Sequence, residues 1–408
     1  MPQIIKKIKK IAAEKGMKEV VSLGVNKVKS QMEIKTQGNS GDIQNNKVVF
    51  LTFTGDYNCN PKWICEALLR KGADIEYIWG LMRNTDVESN KFPNQVKPIR
   101  RSSSEFNKHL FSAKVIVDNG INLAFLGYKP KEGQVLIETW HGSLGIKRFD
   151  ASTNKDKNWI EKAKKEGEAT TFAISNSLFE DKVFEDSFWK DSKILRLGHA
   201  RNDILLNDNI INKDKLNEEF RKRYKISMDA RMCMYAPTFR DDGDLSPYKL
   251  DYDKISNALE KRFGGKWVIL SRFHWRTKEL FGDFKMPDNV INVSDYNDIQ
   301  EIMCLIDAGI TDYSSWICEY VLRRKPGFIF ATDMDTFEES DRAFFFPLDY
   351  MPFPVSKNED GLIKNIEDFD EGNYLRRCDE FLDEMGSVDD GHAGEKIASL
   401  ITDEIMKG

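Results

Sequence analysis

The chain has 408 residues, 40% of them apolar and 31% charged, a composition that excludes a disordered polymer and exceeds what one ordinary core holds. Its 66 acidic side chains outweigh 61 lysines and arginines, giving a net charge of −5, so no overall basic field favours nucleic acid. None of the six cysteines form a CxxC pair and several sit within apolar runs, as in Met232-Cys-Met, so they read as small buried hydrophobes rather than a disulfide framework or zinc site.

Residues 1–30 stand apart, with eight lysines and two glutamates, and with Ile4, Ile5, Ile8, Ile11 and Ala12 at helical spacing. A basic amphipathic helix of this kind either lies on an anionic membrane surface or packs its isoleucines on the body of the protein. Lysines interrupt the apolar block a signal peptide requires, and no run reaches the roughly 18 apolar residues of a spanning helix. Residues 31–46, ending in Gln-Gly-Asn-Ser-Gly-Asp-Ile-Gln-Asn-Asn, read as a polar linker.

From Lys47 apolar strands alternate with helices. Val48–Phe53 is a strand, Pro61 after Asn60 opens a helix, and Gly72 ends it. Strands follow at 75–79, 114–118 and 134–139, and the alternation restarts at 193–197, 231–235, 267–270, 291–293, 308–311 and 327–331. Two parallel α/β units facing each other are expected. We place a first Rossmann-like domain at 47–190, a second at 191–370 and closing helices at 371–408. No Gly-x-Gly-x-x-Gly or Walker loop follows a strand, which argues against a dinucleotide or ATP site.

The chemically capable residues cluster just after strands. His141, flanked by Trp140 and Gly142, follows the 134–139 strand; an imidazole near its ordinary pKa accepts a hydroxyl proton at neutral pH, although a structural histidine bonding a carbonyl would look the same. Arg240, in Tyr235-Ala-Pro-Thr-Phe-Arg-Asp-Asp242, has the fork to hold a phosphate, and Thr238 a hydroxyl to donate; the alternative is an arginine paired with Asp241 or Asp242. Arg272 and His274 alternate onto one face after the next strand and suit an anion. After Thr311, the stretch Asp312-Tyr-Ser-Ser315 starts a helix through Trp316 and Glu319, where free amides and serine hydroxyls either cradle a phosphate or cap their own helix. Asp241, Asp242 and Asp244 lack calcium-loop spacing, so neither an essential metal nor another cofactor is expected.

Taken in order, Asn60-Pro-Lys62, Trp140-His-Gly142, Gly198-His-Ala-Arg-Asn-Asp203, Tyr235-Ala-Pro-Thr-Phe-Arg-Asp241, Arg272-Phe-His274 and Ile310-Thr-Asp-Tyr-Ser-Ser315 resemble the CDP-glycerol:poly(glycerophosphate) glycerophosphotransferases, the teichoic acid primases and polymerases. The likeness runs from about Lys47 to about Asp335. It implies a GT-B-type fold and transfer of glycerol phosphate or ribitol phosphate from CDP-glycerol or CDP-ribitol to a hydroxyl of a lipid-linked polymer. CMP would be released at the cytoplasmic face of the membrane.

Position by position, the resemblance makes His141 the general base. It places Arg240, His274, Ser314 and Ser315 at the donor pyrophosphate and Glu319 near the nucleotide sugar, while Thr238, Arg272 and Thr311 join the donor-side candidates from the reading of the strand ends. Gly142, Ser143, Asn202 and Asp203 are acceptor-side or structural candidates. The family commonly reads Trp-His-Gly-Thr-Pro-Leu-Lys where this chain has Trp140-His-Gly-Ser-Leu-Gly-Ile-Lys147, so the loop after the base lacks its proline. The rival readings are a GT-B glycosyltransferase using a nucleotide sugar, and an inactive membrane-associated scaffold that binds polymer.

Overall fold

The computed structural model describes residues 28–38, 40–142, 145–148, 156–238, 240, 250–273, 289–334 and 343–407. The segment 1–27, which holds nearly all of the basic amphipathic stretch, lies outside the described residues.

Two all-parallel sheets form the frame. The first contains β1 (Gln44–Leu51), β2 (Glu76–Leu81), β3 (Val96–Arg100), β4 (Ala113–Asp118), β5 (Val135–Glu138), β6 (Phe172–Ser175) and β7 (Lys193–Arg196), in the order β3-β2-β1-β4-β5-β6-β7. The second contains β8 (Ala230–Tyr235), β9 (Lys266–Ser271), β10 (Val290–Asn292), β11 (Ala308–Thr311), β12 (Gly327–Phe330) and β13 (Val355–Ser356), in the order β10-β9-β8-β11-β12-β13. Strands such as Val48–Leu51 and Val115–Val117 are buried on both faces, which is why they read as unbroken apolar runs.

Each sheet reverses its winding once. β1 lies between β2 and β4, and β8 lies between β9 and β11. In open parallel sheets the crevice beyond the strand C-termini at such a reversal is where ligands bind. The ends of β1 and β4 supply Phe53 and Asn119; those of β8 and β11 supply Thr238, Arg240 and residues 312–315.

The structure moves two of the expected divisions. β7 pairs with β6 in the first sheet, so that sheet runs past residue 190; alternation along the chain does not say which sheet a strand joins. Residues 28–37 are helical and β1 begins at Gln44, so much of the expected 31–46 linker is regular structure. That helix docks on the Ser104–Ser112 helix. Ile34 enters the first domain's core, and Glu33 accepts from Ser104 Oγ at 2.7 Å and from Asn107 Nδ2 at 2.9 Å.

The last helix, Ala393–Met406, returns from the second half of the chain to the Cys59–Arg70 helix of the first. Asp203 fixes its start by accepting from the amides of Ala393 and Gly394 at 2.9 and 2.7 Å. A Cβ on Gly394 would stand 3.3 Å from the Trp63 carbonyl and 3.1 Å from Asp203, so the residue allows close helix approach. Among the described residues no helix is long and apolar enough to cross a membrane.

Candidate active site

His141 stands just beyond β5. Its Nδ1 lies 2.6 Å from the carbonyl oxygen of Asn119, the residue that follows β4. A carbonyl only accepts, so Nδ1 carries the proton and the Nε2 lone pair is left for a ligand. The rings of Phe53 and Trp140 flank the imidazole at 4.7 and 4.2 Å between centroids. Withdrawal from water, with a smaller contribution from the charge of Arg201, pushes its pKa down to about 4, so the ring is neutral at physiological pH. The chain reaches this position through Trp140 at φ +51, in the left-handed region that a bulky residue occupies only when its surroundings hold it there.

What holds it is a buried polar floor. Glu138 accepts from the Trp140 amide at 2.7 Å; Asp118 accepts from the amides of Gly120 and Asn122 at 3.0 and 3.2 Å; Glu166 accepts from Ala124 at 2.7 Å. One oxygen from each of Asp118, Glu138 and Glu166 lies within 4.8 Å of the others, close enough to bracket a cation. We assign no ion to them. Burial pushes Asp118 up to about 6 and the two glutamates well above the usual carboxylate range, so shared protons relieve their repulsion. Asn119 completes the floor by accepting from the Phe53 amide at 2.9 Å through Oδ1.

Across from His141 is the start of the Trp316–Tyr320 helix. A Cβ built on Gly142 would lie 3.7 Å from Ser315 Oγ, and one on Gly145 4.0 Å from Ser315 Cβ. The glycines of the histidine loop therefore face Ser315 directly. Ser315 occupies the N-cap position without a capping bond from its side chain, and both serines are half-buried. Of the two readings the sequence left open, capping is not how the Ser315 hydroxyl is used. The helix is only five residues long before a 3-10 turn, so hydroxyls count for more here than a macrodipole.

The other expected donor residues are placed differently. Arg240 is buried; its fork holds Asp333 at 2.7 and 3.0 Å and its Nη1 reaches Asp312 at 2.8 Å, with the guanidinium over the Tyr313 ring. Asp241 and Asp242, the alternative partners offered by the sequence, lie outside the described residues. Thr238 donates its amide to Asp312 at 2.8 Å. Thr311 turns its hydroxyl to the Ala236 carbonyl at 2.7 Å, within the sheet and not into the gap. Arg272 donates to the carbonyls of Val293 and Tyr296 at 3.1 and 2.7 Å, holding the turn after β10. Glu319 is fully buried and accepts from Arg201 Nε at 3.0 Å and Gln300 Nε2 at 2.9 Å, so its carboxylate serves protein partners. Ser143 and His274 lie outside the described residues.

Asn202 and Asp203 serve the framework. Asn202 donates to Asp389 at 3.1 Å, and Asp203 caps the returning helix. Sequence reasoning passed over Asn60, although its motif was noted. Its Nδ2 donates to the carbonyls of Thr139 and Trp140 at 2.9 and 3.2 Å and lies 3.1 Å from His199 Nδ1, while its Oδ1 accepts from the Arg201 amide at 3.0 Å. One buried amide thereby joins the strand end before His141 to the Arg201 turn. Asn119 and Asp333 were missed as well; Asp333 lies 93 positions from Arg240, beyond the reach of any local pattern.

The family model for CDP-Glycerol:Poly(glycerophosphate) glycerophosphotransferase matches residues 34–403, beyond both ends of the resemblance seen in the motifs. A teichoic acid poly(glycerol phosphate) polymerase of Staphylococcus epidermidis is 30% identical over 96% of this chain, which spans 55% of that relative's length. A teichoic acid glycerol-phosphate transferase of Staphylococcus aureus is 27% identical, with 87% of this chain and 92% of the relative covered. Among solved structures, a variant of the wall teichoic acid polymerase TagF soaked with CDPG superposes with a TM-score of 0.80 at 28% identity, covering 96% of this chain and 98% of that one.

Proposed function

This chain belongs to the CDP-glycerol:poly(glycerophosphate) glycerophosphotransferase family, and we propose that it transfers glycerol phosphate or ribitol phosphate from a CDP-alditol to a hydroxyl of a teichoic-acid-type polymer, releasing CMP. The observation that carries this reading is the approach of the His141 loop to Ser315, with Gly142 keeping the space between them free of side chain.

In this reading the donor pyrophosphate sits at residues 311–315 and the acceptor hydroxyl beside His141 Nε2. The hydroxyl oxygen attacks the β-phosphorus, the bond from that phosphorus to the bridging oxygen breaks, and CMP leaves. The hydroxyl proton passes to Nε2, which the Asn119 carbonyl leaves unprotonated. A loose phosphoryl transition state needs mainly alignment and charge stabilisation. Ser314 and Ser315 supply donors, and Arg240 contributes through Asp312 and Asp333, whose places it fixes beside them. A lipid-linked acceptor would put the reaction at the cytoplasmic membrane face, with the basic stretch 1–30 as the candidate surface contact.

Purified protein incubated with CDP-glycerol or CDP-ribitol and a short lipid-linked acceptor should release CMP and lengthen the acceptor by the mass of an alditol phosphate. Release of UDP or GDP from a sugar nucleotide, with none from either CDP-alditol, would overturn the assignment.

A further inference from the structure

Arg201 lies in the turn after β7, and its guanidinium reaches three separate parts of the molecule. Nη1 donates to the His141 carbonyl at 2.6 Å and lies 3.3 Å from Cys59 Sγ; Nε donates to Glu319 at 3.0 Å, and Nη2 meets the same carboxylate oxygen. His141 and Cys59 belong to the first domain. Glu319 belongs to the helix of the second domain that begins immediately after Ser315. Both members of the ion pair are buried, and Gln300 satisfies the other Glu319 oxygen at 2.9 Å. Cys59, like Trp140, has a positive φ, of 61, so two strained backbone positions flank this one guanidinium.

We propose that Arg201 is the positioning residue that ties the His141 loop to the serine-bearing helix, fixing the distance between the proposed base and the phosphate site across the domain boundary. A guanidinium suits this role because its planar fork presents several donors in fixed directions at once, whereas an ammonium is a point charge on a flexible stem. The charge also acts on the imidazole, in the sense of keeping the ring unprotonated. Among the described residues, the other ionisable groups about His141 are the Asp118 and Glu138 floor beneath the loop, Cys59 beside Arg201 and Glu319 beyond it.

The kinetic part of this inference rests on the proposed reaction, while the imidazole titration does not, so the two can fail separately. The full chain, labelled at histidine, is followed by NMR through a pH series, with the His141 signal assigned by its loss in His141→Gln. In Arg201→Gln the His141 midpoint should rise, and kcat for CMP release should fall about 100-fold, the scale of an ångström's misplacement. Arg201→Lys keeps the cation without the fork; its midpoint should stay near wild type while kcat still falls more than KM for the donor changes. A purely structural role predicts lost stability with the midpoint unmoved in a folded Arg201→Gln, and that result would overturn the proposal. Should Arg201→Gln fail to fold, wild-type kcat in Arg201→Lys would overturn it equally.

Discussion

The two sheet reversals that face each other are built on opposite electrostatic plans. On the first-domain side the proposed base, His141, is neutral. It is held by a carbonyl, two aromatic rings and a floor of carboxylates whose burial favours their protonated forms. On the second-domain side the prominent cation, Arg240, is already neutralised by Asp312 and Asp333, and the half-buried serines stand beside that closed network. The first side is prepared to receive a proton. The second offers dipoles and hydroxyls, and an incoming anion gains the arginine's full charge only at the expense of its carboxylate partners.

The contrast breaks most sharply if the neutral side proves dispensable. His141→Ala should lower kcat by 10²–10⁴-fold or more while donor binding, followed by calorimetry, persists; near-normal CMP release would remove the base from the scheme. Next in size is Arg240→Ala. It strands Asp312 and Asp333, so chemical denaturation should show a loss of about 3–5 kcal/mol, and the variant should be identified first by instability rather than by donor affinity. A stable Arg240→Ala with only weakened donor binding would mean that the carboxylates are not its essential partners.

A smaller effect is expected from Ser315→Ala, where one hydrogen bond to a charged group is lost. Donor affinity should weaken by about 1.5–3 kcal/mol with the fold intact, and unchanged affinity would take the serine out of the donor site. The pH profile sharpens the comparison from the other side. Because burial depresses the His141 pKa to about 4, the base remains deprotonated well below pH 6.5, and its acidic limb in kcat should lie nearer 4 than 6.5. The same depression means that the folded state binds fewer protons than the unfolded one between those values, so this group's contribution to stability is present above pH 6.5 and is lost as pH falls towards 4. Smallest of all, Gly142→Ala should fold normally, since the new methyl would meet Ser315 at 3.7 Å, an ordinary contact. Its consequence should be confined to a modest rise in KM for the acceptor.

The candidate site was legible as a cluster because strand ends carry it. His141, Arg240 and the serine pair each follow an apolar run whose period announces the strand. β3 escaped notice because Pro98 interrupts it, which an edge strand tolerates. β6, Phe172–Ser175, also went unrecognised. What could not be read was partnership. Arg201 sits in a motif that drew attention to its neighbours Asn202 and Asp203, yet its own contacts lie 60 and 118 positions away. Arg272 looked free for a ligand because the carbonyls it serves come from the turn after another strand. Residue type and strand position foretell which atoms are available; the return path of the chain decides which of them are already engaged.

That return path also bears on biosynthesis. Lys71, at the end of the Cys59–Arg70 helix, meets Ser399 across 328 positions of sequence, and Asp203 waits for the amides of Ala393 and Gly394. As the ribosome delivers the polypeptide, the lobe built on the first sheet therefore emerges with an apolar helical face uncovered, and it stays so until residues 393–406 have been made. A nascent chain halted before residue 393 would present that face to chaperones.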